Sequence, residues 1–164
     1  MASHRTQSME RGGMSFKLGI DVMQLRLPVG IPSPRELEKT VYDMLSPAEK
    51  DALALSNPSE SLSLILYYWT MKEAISKALG EGLSFPFDEL DVSPLRAEEG
   101  TSSLDVRASK CTIKKIELGE GEEGRYIIAI AVLGSQSHDI QDVEVEMVNV
   151  ERLVEEVLIA ADAK

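Results

Sequence analysis

Residues 60–79 read ESLSLILYYWTMKEAISKAL, and Gly80 and Gly82 follow closely. The run exceeds the usual length of a strand and contains no proline, so it predicts a helix. Ser59 stands where a helix N-cap belongs, and the two glycines supply the C-terminal stop. Most positions are apolar, so the helix is expected to run buried through the domain. Trp69, Glu73 and Lys77 interrupt that pattern at i, i+4 and i+8, which places them on nearly one side.

Before this helix, Ser33-Pro34 opens a short helical stretch, RELEKTVYDML, with Leu37, Val41 and Leu45 on one face. Ser46-Pro47 starts the next, SPAEKDALAL. Ser46 and Glu49 have the spacing of a capping box, and Asn57-Pro58 ends the stretch. FKLGIDV, residues 16–22, reads as a strand, and Gly19 within it suggests a close backbone approach. Residues 28–34, PVGIPSP, form a loop. Residues 1–15 are polar and glycine-containing and are expected to form a flexible start. Residues 16–164 are expected to form a single domain.

After the long helix, Phe85-Pro86-Phe87 turns the chain, and Leu90–Val92 is a further strand start. From about residue 102 the pattern becomes period 2 and β-branched. LDVRASKCTIKKIEL and RYIIAIAVL read as two strands joined by the loop GEGEEG. YIIAIAVL has no polar position and is expected at the centre of a sheet, covered on both faces. DVEVEMVN alternates like a strand solvated on one side. Asn149 can cap a last helix with an apolar stripe at Val150, Leu153, Val154, Val157, Leu158 and Ala161. The expected fold class is α+β, a long buried helix packed on a mostly antiparallel sheet.

The 164 residues suit one domain, and 43% apolar content is ordinary for a globular chain. Seventeen Lys and Arg against 28 Asp and Glu leave a net charge of −11. That field disfavours nonspecific binding to nucleic acid or to an anionic membrane, but leaves room for a local phosphate site. A single cysteine, Cys111, forms no internal disulfide and fits a reducing compartment. No apolar run reaches the ~18 residues of a membrane span. No apolar h-region stands in the first fifteen residues, so a cytoplasmic protein is expected.

Three charged positions carry the chemical question. Glu73 and Lys77 can form an i, i+4 ion pair on an exposed face, worth ~0.3–0.5 kcal/mol. Asp21 can lie solvated at the end of its strand. Alternatively, a strand-borne Asp and a helix-borne Glu supply the hard oxygen ligands that Mg2+ prefers, with substrate phosphate and water completing the shell. Lys77 would then neutralise phosphate charge. Spacing alone leaves both readings open. His138, in a polar loop, and Cys111, in a strand without an adjacent base, read as ordinary surface and packed side chains.

WTMKEAISKALGEGL resembles the W-x-x-K-E-x-x-x-K signature of the 4′-phosphopantetheinyl transferases, and GIDV resembles their G-[IV]-D motif. LSPAEKDAL is similar to the family's F-[ST]-x-x-E segment, with Leu45 in the Phe position and Glu49 matching the Glu. Ser3-His4 matches a Ser-His pair found about seventeen residues before the motif Asp. The resemblance implies Mg2+-dependent transfer of the 4′-phosphopantetheine arm of coenzyme A to a serine of an acyl, peptidyl or aminoadipate carrier protein. This is holo-[acyl-carrier-protein] synthase activity. It implies Asp21 and Glu73 as metal ligands, Glu73 and Lys77 as catalytic residues, and His4, Lys72 and Lys77 as contacts to coenzyme A. Trp69 reads as packing.

Two departures qualify the match. Many members have Glu two residues after the motif Asp, where this chain has Met23, a poor ligand for a hard cation. G-I-D-[IV]-M resembles the branch of the aminoadipate-semialdehyde dehydrogenase phosphopantetheinyl transferases, which serves lysine biosynthesis; water or Glu49 would complete the shell. Sfp-type members and that branch are pseudo-dimers of two similar halves, and this chain resembles the second half. The half-length resemblance leaves three readings open: a truncated fragment, self-association and an inactive remnant. A non-catalytic acidic interaction domain, with Glu73 and Lys77 as a surface pair, is the reading from another class.

Overall fold

The structure, a computed structural model, describes residues 8–11, 14–97, 101–107, 109–119 and 124–134. Five strands form one sheet: β1 (Ser8–Arg11), β2 (Met14–Gln24), β3 (Thr101–Val106), β4 (Ser109–Leu118) and β5 (Tyr126–Leu133). Their order is β1-β2-β5-β4-β3, with every pair antiparallel. Three helices, α1 (Pro34–Val41), α2 (Pro47–Ala54) and α3 (Pro58–Leu79), lie in sequence between β2 and β3. The α+β reading and the central place of YIIAIAVL both hold. The predicted strand at DVEVEMVN, the last helix after Asn149, His138 and the Ser3-His4 pair lie outside the described residues.

α3 is the spine of the core. It starts two residues earlier than the Ser59 cap predicts. Pro58 occupies the first turn and the Asn57 side chain accepts from the amides of Ser59 and Glu60, so Asn57 is the N-cap. The Glu60 side chain returns a bond to Asn57 N, completing a capping box. At the other end Gly80 takes φ +80°, the left-handed conformation that terminates a helix readily without a Cβ. Leu64, Ile65, Leu66, Tyr68, Met71, Ala74, Ile75 and Ala78 are all nearly inaccessible. A helix buried on most of its circumference explains why its sequence lacks a clean polar face.

The pleat divides the sheet into two apolar faces. Gly19, Ile113, Ala129, Ala131 and Leu133 turn toward α3. On the opposite face Ile128 and Ile130 are buried with Leu18, Ile116, Leu118 and Val132 around them. Ile20 and Val22 lie on that same side of β2, opposite Ile130 and Ile128, and remain 46% and 50% exposed.

Three local expectations are corrected. Part of the expected flexible start, Ser8–Arg11, is an edge strand paired with Met14–Lys17, and β2 is longer than FKLGIDV. The predicted strand LDVRASKCTIKKIEL is two antiparallel strands, because the chain reverses between Val106 and Ser109, where Arg107 takes φ +49°. Arg107 then pairs with Glu81 and stands 5.7 Å over the Phe85 ring, tying that turn to the loop after α3. Leu90–Val92 is not a strand. It lies between short 3-10 turns at Phe87–Glu89 and Ser93–Ala97, and Val92 N donates to the Glu49 carboxylate instead of to a ladder.

Cys111 is fully buried on β4, and desolvation pushes its thiol up from the ordinary 9.0 to about 12. Iodoacetamide at neutral pH is therefore expected to label Cys111 only after denaturation. Rapid labelling of the native protein would contradict this placement.

Candidate active site

β2 brings Asp21 to α3 because Gly19, two residues earlier on the same face, lets strand and helix meet. A Cβ at Gly19 would stand 2.0 Å from Ala74 O and 2.4 Å from Ala78 N. With Ala74 and Ala78 on the helix and Ala129 and Ala131 on β5, a seam of small residues sets the close approach. The last turn of α3 then lies beside the middle of β2.

There Lys77 Nζ donates to Asp21 Oδ1 at 2.5 Å and to Ile20 O at 3.2 Å. The two side chains are only 17% and 13% exposed. Lys77 therefore reaches across to the strand, unlike a surface residue engaged only within its own helix. Glu73 stands one turn before Lys77 on the same face and is half-buried. Asp21 Oδ2 is buried and has no hydrogen-bond partner. An ionised carboxylate oxygen held out of water carries an energetic cost unless a proton donor or cation meets it. That spare oxygen, beside a helix carrying a second carboxylate, fits a hard divalent cation, since Mg2+ needs only one or two protein carboxylates. No group of three or more potential ligands occurs among the described residues, so substrate and water would supply the remaining positions.

Met23 is partly buried against the core and offers no hard oxygen from its side chain. Glu49 does not complete the shell. Its Oε2 accepts from Ser46 N at 2.9 Å and lies 2.6 Å from Lys72 Nζ, and its Oε1 accepts from Val92 N at 3.0 Å. The residue is fully buried.

Lys72, expected at a coenzyme A phosphate, is likewise corrected. It points away from Glu73 and Lys77 into the core, 2% exposed, and donates to Met44 O at 2.8 Å and Phe87 O at 2.7 Å as well as meeting Glu49. All three ammonium protons are thereby engaged. Burial lowers its pKa, and the hydrogen bond and charge of Glu49, with the charges of Asp91 and Asp88, oppose that shift. The pair clamps α3 to the turn before α2 and to the turns after Phe85. Trp69 stacks on Phe87 at 6.0 Å, in keeping with its packing role.

Sequence reasoning missed Asp91, whose Oδ1 accepts from Ser46 Oγ at 3.2 Å and Ser93 N at 3.0 Å. The available signal was the Asp-x-Ser-Pro turn, where an Asp side chain commonly accepts from the amide two residues on. Asp21 and Lys77 are thus brought together, Glu73 stands one helical turn from Lys77, Lys72 and Glu49 are taken elsewhere, and His4 lies outside the described residues.

The chain is similar in sequence to known proteins. A 4′-phosphopantetheinyl transferase of Paxillus involutus is 28% identical over 81% of this chain and 51% of its own length. An L-aminoadipate-semialdehyde dehydrogenase-phosphopantetheinyl transferase of Xenopus laevis is 28% identical over 74% of this chain and 41% of its own. A holo-[acyl-carrier-protein] synthase of Campylobacter hominis is 29% identical over 58% of this chain and 80% of its own. The chain spans about half the length of the Paxillus and Xenopus relatives. The superfamily's sequence model matches residues 17–131, a stretch that holds Gly19, Asp21, Glu73 and Lys77 together. With most of the chain inside that match, and its strand and helix motifs meeting at one end of α3, the protein belongs to the 4′-phosphopantetheinyl transferase superfamily.

Proposed function

We propose that this chain transfers the 4′-phosphopantetheine arm of coenzyme A to a serine hydroxyl of a carrier protein. The observation that carries this reading is the meeting of Asp21 and Lys77 beside Glu73, with one Asp21 oxygen left open. Mg2+, held by Asp21 and Glu73, would screen the charge of the coenzyme A pyrophosphate. Glu73 takes the proton from the serine hydroxyl. The serine oxygen bonds to the phosphorus of the pantetheine side, and the bridging P–O bond to 3′,5′-ADP breaks. Lys77 stabilises the negative charge that collects on the departing 3′,5′-ADP. His4 is a further proposed contact to coenzyme A.

Acyl, peptidyl and aminoadipate carriers all present the required serine. Met23 in GIDVM favours the aminoadipate carrier of lysine biosynthesis, in the cytoplasm. The half-length match and the exposed Ile20 and Val22 support a second reading of the assembly, in which the site works when a second copy or a second half covers that face.

The experiment follows a fluorescent coenzyme A analogue onto an apo carrier protein with Mg2+. Glu73→Gln is expected to slow labelling by about 10²-fold or more, the usual contribution of a general base. Labelling at the wild-type rate by this variant would overturn the assignment of Glu73.

A further inference from the structure

We propose that Lys77 is a resident counter-ion of Asp21 that the divalent cation displaces, so that metal entry hands the lysine to the anionic substrate. The inference rests on the proposed metal reading and adds an exchange that the reading does not require. Asp21 lies on an apolar strand with its side chain 13% exposed, and a carboxylate so placed needs a cation. Lys77 supplies one, 2.5 Å from Oδ1, while Oδ2 remains buried without a hydrogen-bond partner. A cation arriving at that open oxygen would share one carboxylate with an ammonium. Two like charges at such range repel strongly where water is scarce.

Lysine is the group able to leave. Its charge sits on a flexible four-carbon stem, and its donors rotate freely. The second acceptor, Ile20 O at 3.2 Å, keeps the ammonium near the strand when Asp21 releases it. From the last turn of α3 the same side chain can then turn toward a phosphate bound at the metal. In the metal-free protein Lys77 thus balances the charge of Asp21. In the loaded protein it becomes the free donor that the leaving group requires. One residue serves both states, and it competes with the metal in the first.

The test titrates Mn2+ alone into the folded protein and reads free Mn2+ by electron paramagnetic resonance. Lys77→Met is expected to bind Mn2+ about tenfold more tightly than wild type, or better, because the competing like charge is gone. Asp21→Asn is expected to bind weakly. Equal or weaker binding by Lys77→Met, with Asp21→Asn still impaired, would overturn the exchange and leave the metal site standing. Absence of millimolar binding by both wild type and Lys77→Met would overturn the metal reading itself. A second measurement needs no variant. In wild-type protein carrying 15N-labelled lysine, the Lys77 ammonium resonance is expected to lose its hydrogen-bonded shift when Mg2+ is added. An unchanged resonance at saturating Mg2+ would contradict displacement.

Discussion

Gly19→Ala is expected to lower stability and to dismantle the candidate site together. The added Cβ would meet backbone atoms at 2.0 and 2.4 Å, and neither Ala74 O nor Ala78 N can rotate aside like a side-chain tip. Strand and helix would have to separate by on the order of 1 Å to restore ordinary contact distances. Overpacking of this kind costs about 1–3 kcal/mol. The separation falls where Asp21 reaches Lys77, and a misplacement of about 1 Å at reacting groups can cost about 10²-fold in rate. The Gly19→Ala protein should therefore unfold at lower urea and transfer phosphopantetheine about 10²-fold more slowly. A variant with wild-type midpoint and wild-type rate would show that the approach of β2 to α3 does not set the site.

Glu49→Ala is expected to have the largest effect on stability. The buried carboxylate meets Lys72 Nζ and accepts the amides of Ser46 and Val92. Its removal leaves an ammonium uncompensated in the core, a loss of about 3–5 kcal/mol. Lys72→Met should also destabilise, while Glu49→Leu with Lys72→Met should recover part of the loss, because an apolar pair leaves no stranded charge. Urea unfolding of the set gives the coupling between the two residues. The same set separates this structure from the expectation read in the sequence. A lysine on a coenzyme A phosphate would raise the KM for coenzyme A when replaced and leave stability nearly unchanged.

The legible parts of this fold are those where local chemistry and tertiary packing agree. Ser46 and Glu49 have capping-box spacing and form the box. Residues 60–79 read as a buried helix and lie in one. YIIAIAVL lacks polar positions because it is the middle strand of the sheet. The misread parts are those where a remote partner decides. Ser8–Arg11 has no apolar alternation, and its strand exists through backbone pairing to β2. The one sequence signal is Gly12-Gly13 between the paired residues Arg11 and Met14, a pair suited to a two-residue hairpin loop. The β3–β4 reversal begins at Arg107 and has neither Gly nor Pro to mark it.

The site divides along the same line. Asp21, Glu73 and Lys77 are legible as charges set in apolar strand and helix patterns, and Asp21 and Lys77 meet at one end of α3, one helical turn from Glu73. Lys72 has the same residue type and lies in the same helix, yet its neighbours are buried carbonyls and a carboxylate from α2. Helical spacing states which side a residue occupies, but not which element packs against that side. Only the packing of α2 and the turns after Phe85 turns a cation in a signature into a structural clamp.

The most direct measurement is transfer of phosphopantetheine from coenzyme A to an apo carrier protein by the purified chain, read as the mass of the carrier, with Mg2+ and with EDTA. The account predicts a carrier heavier by one phosphopantetheine group with Mg2+ and unmodified with EDTA. An unmodified carrier in the presence of Mg2+, from folded protein, would contradict it.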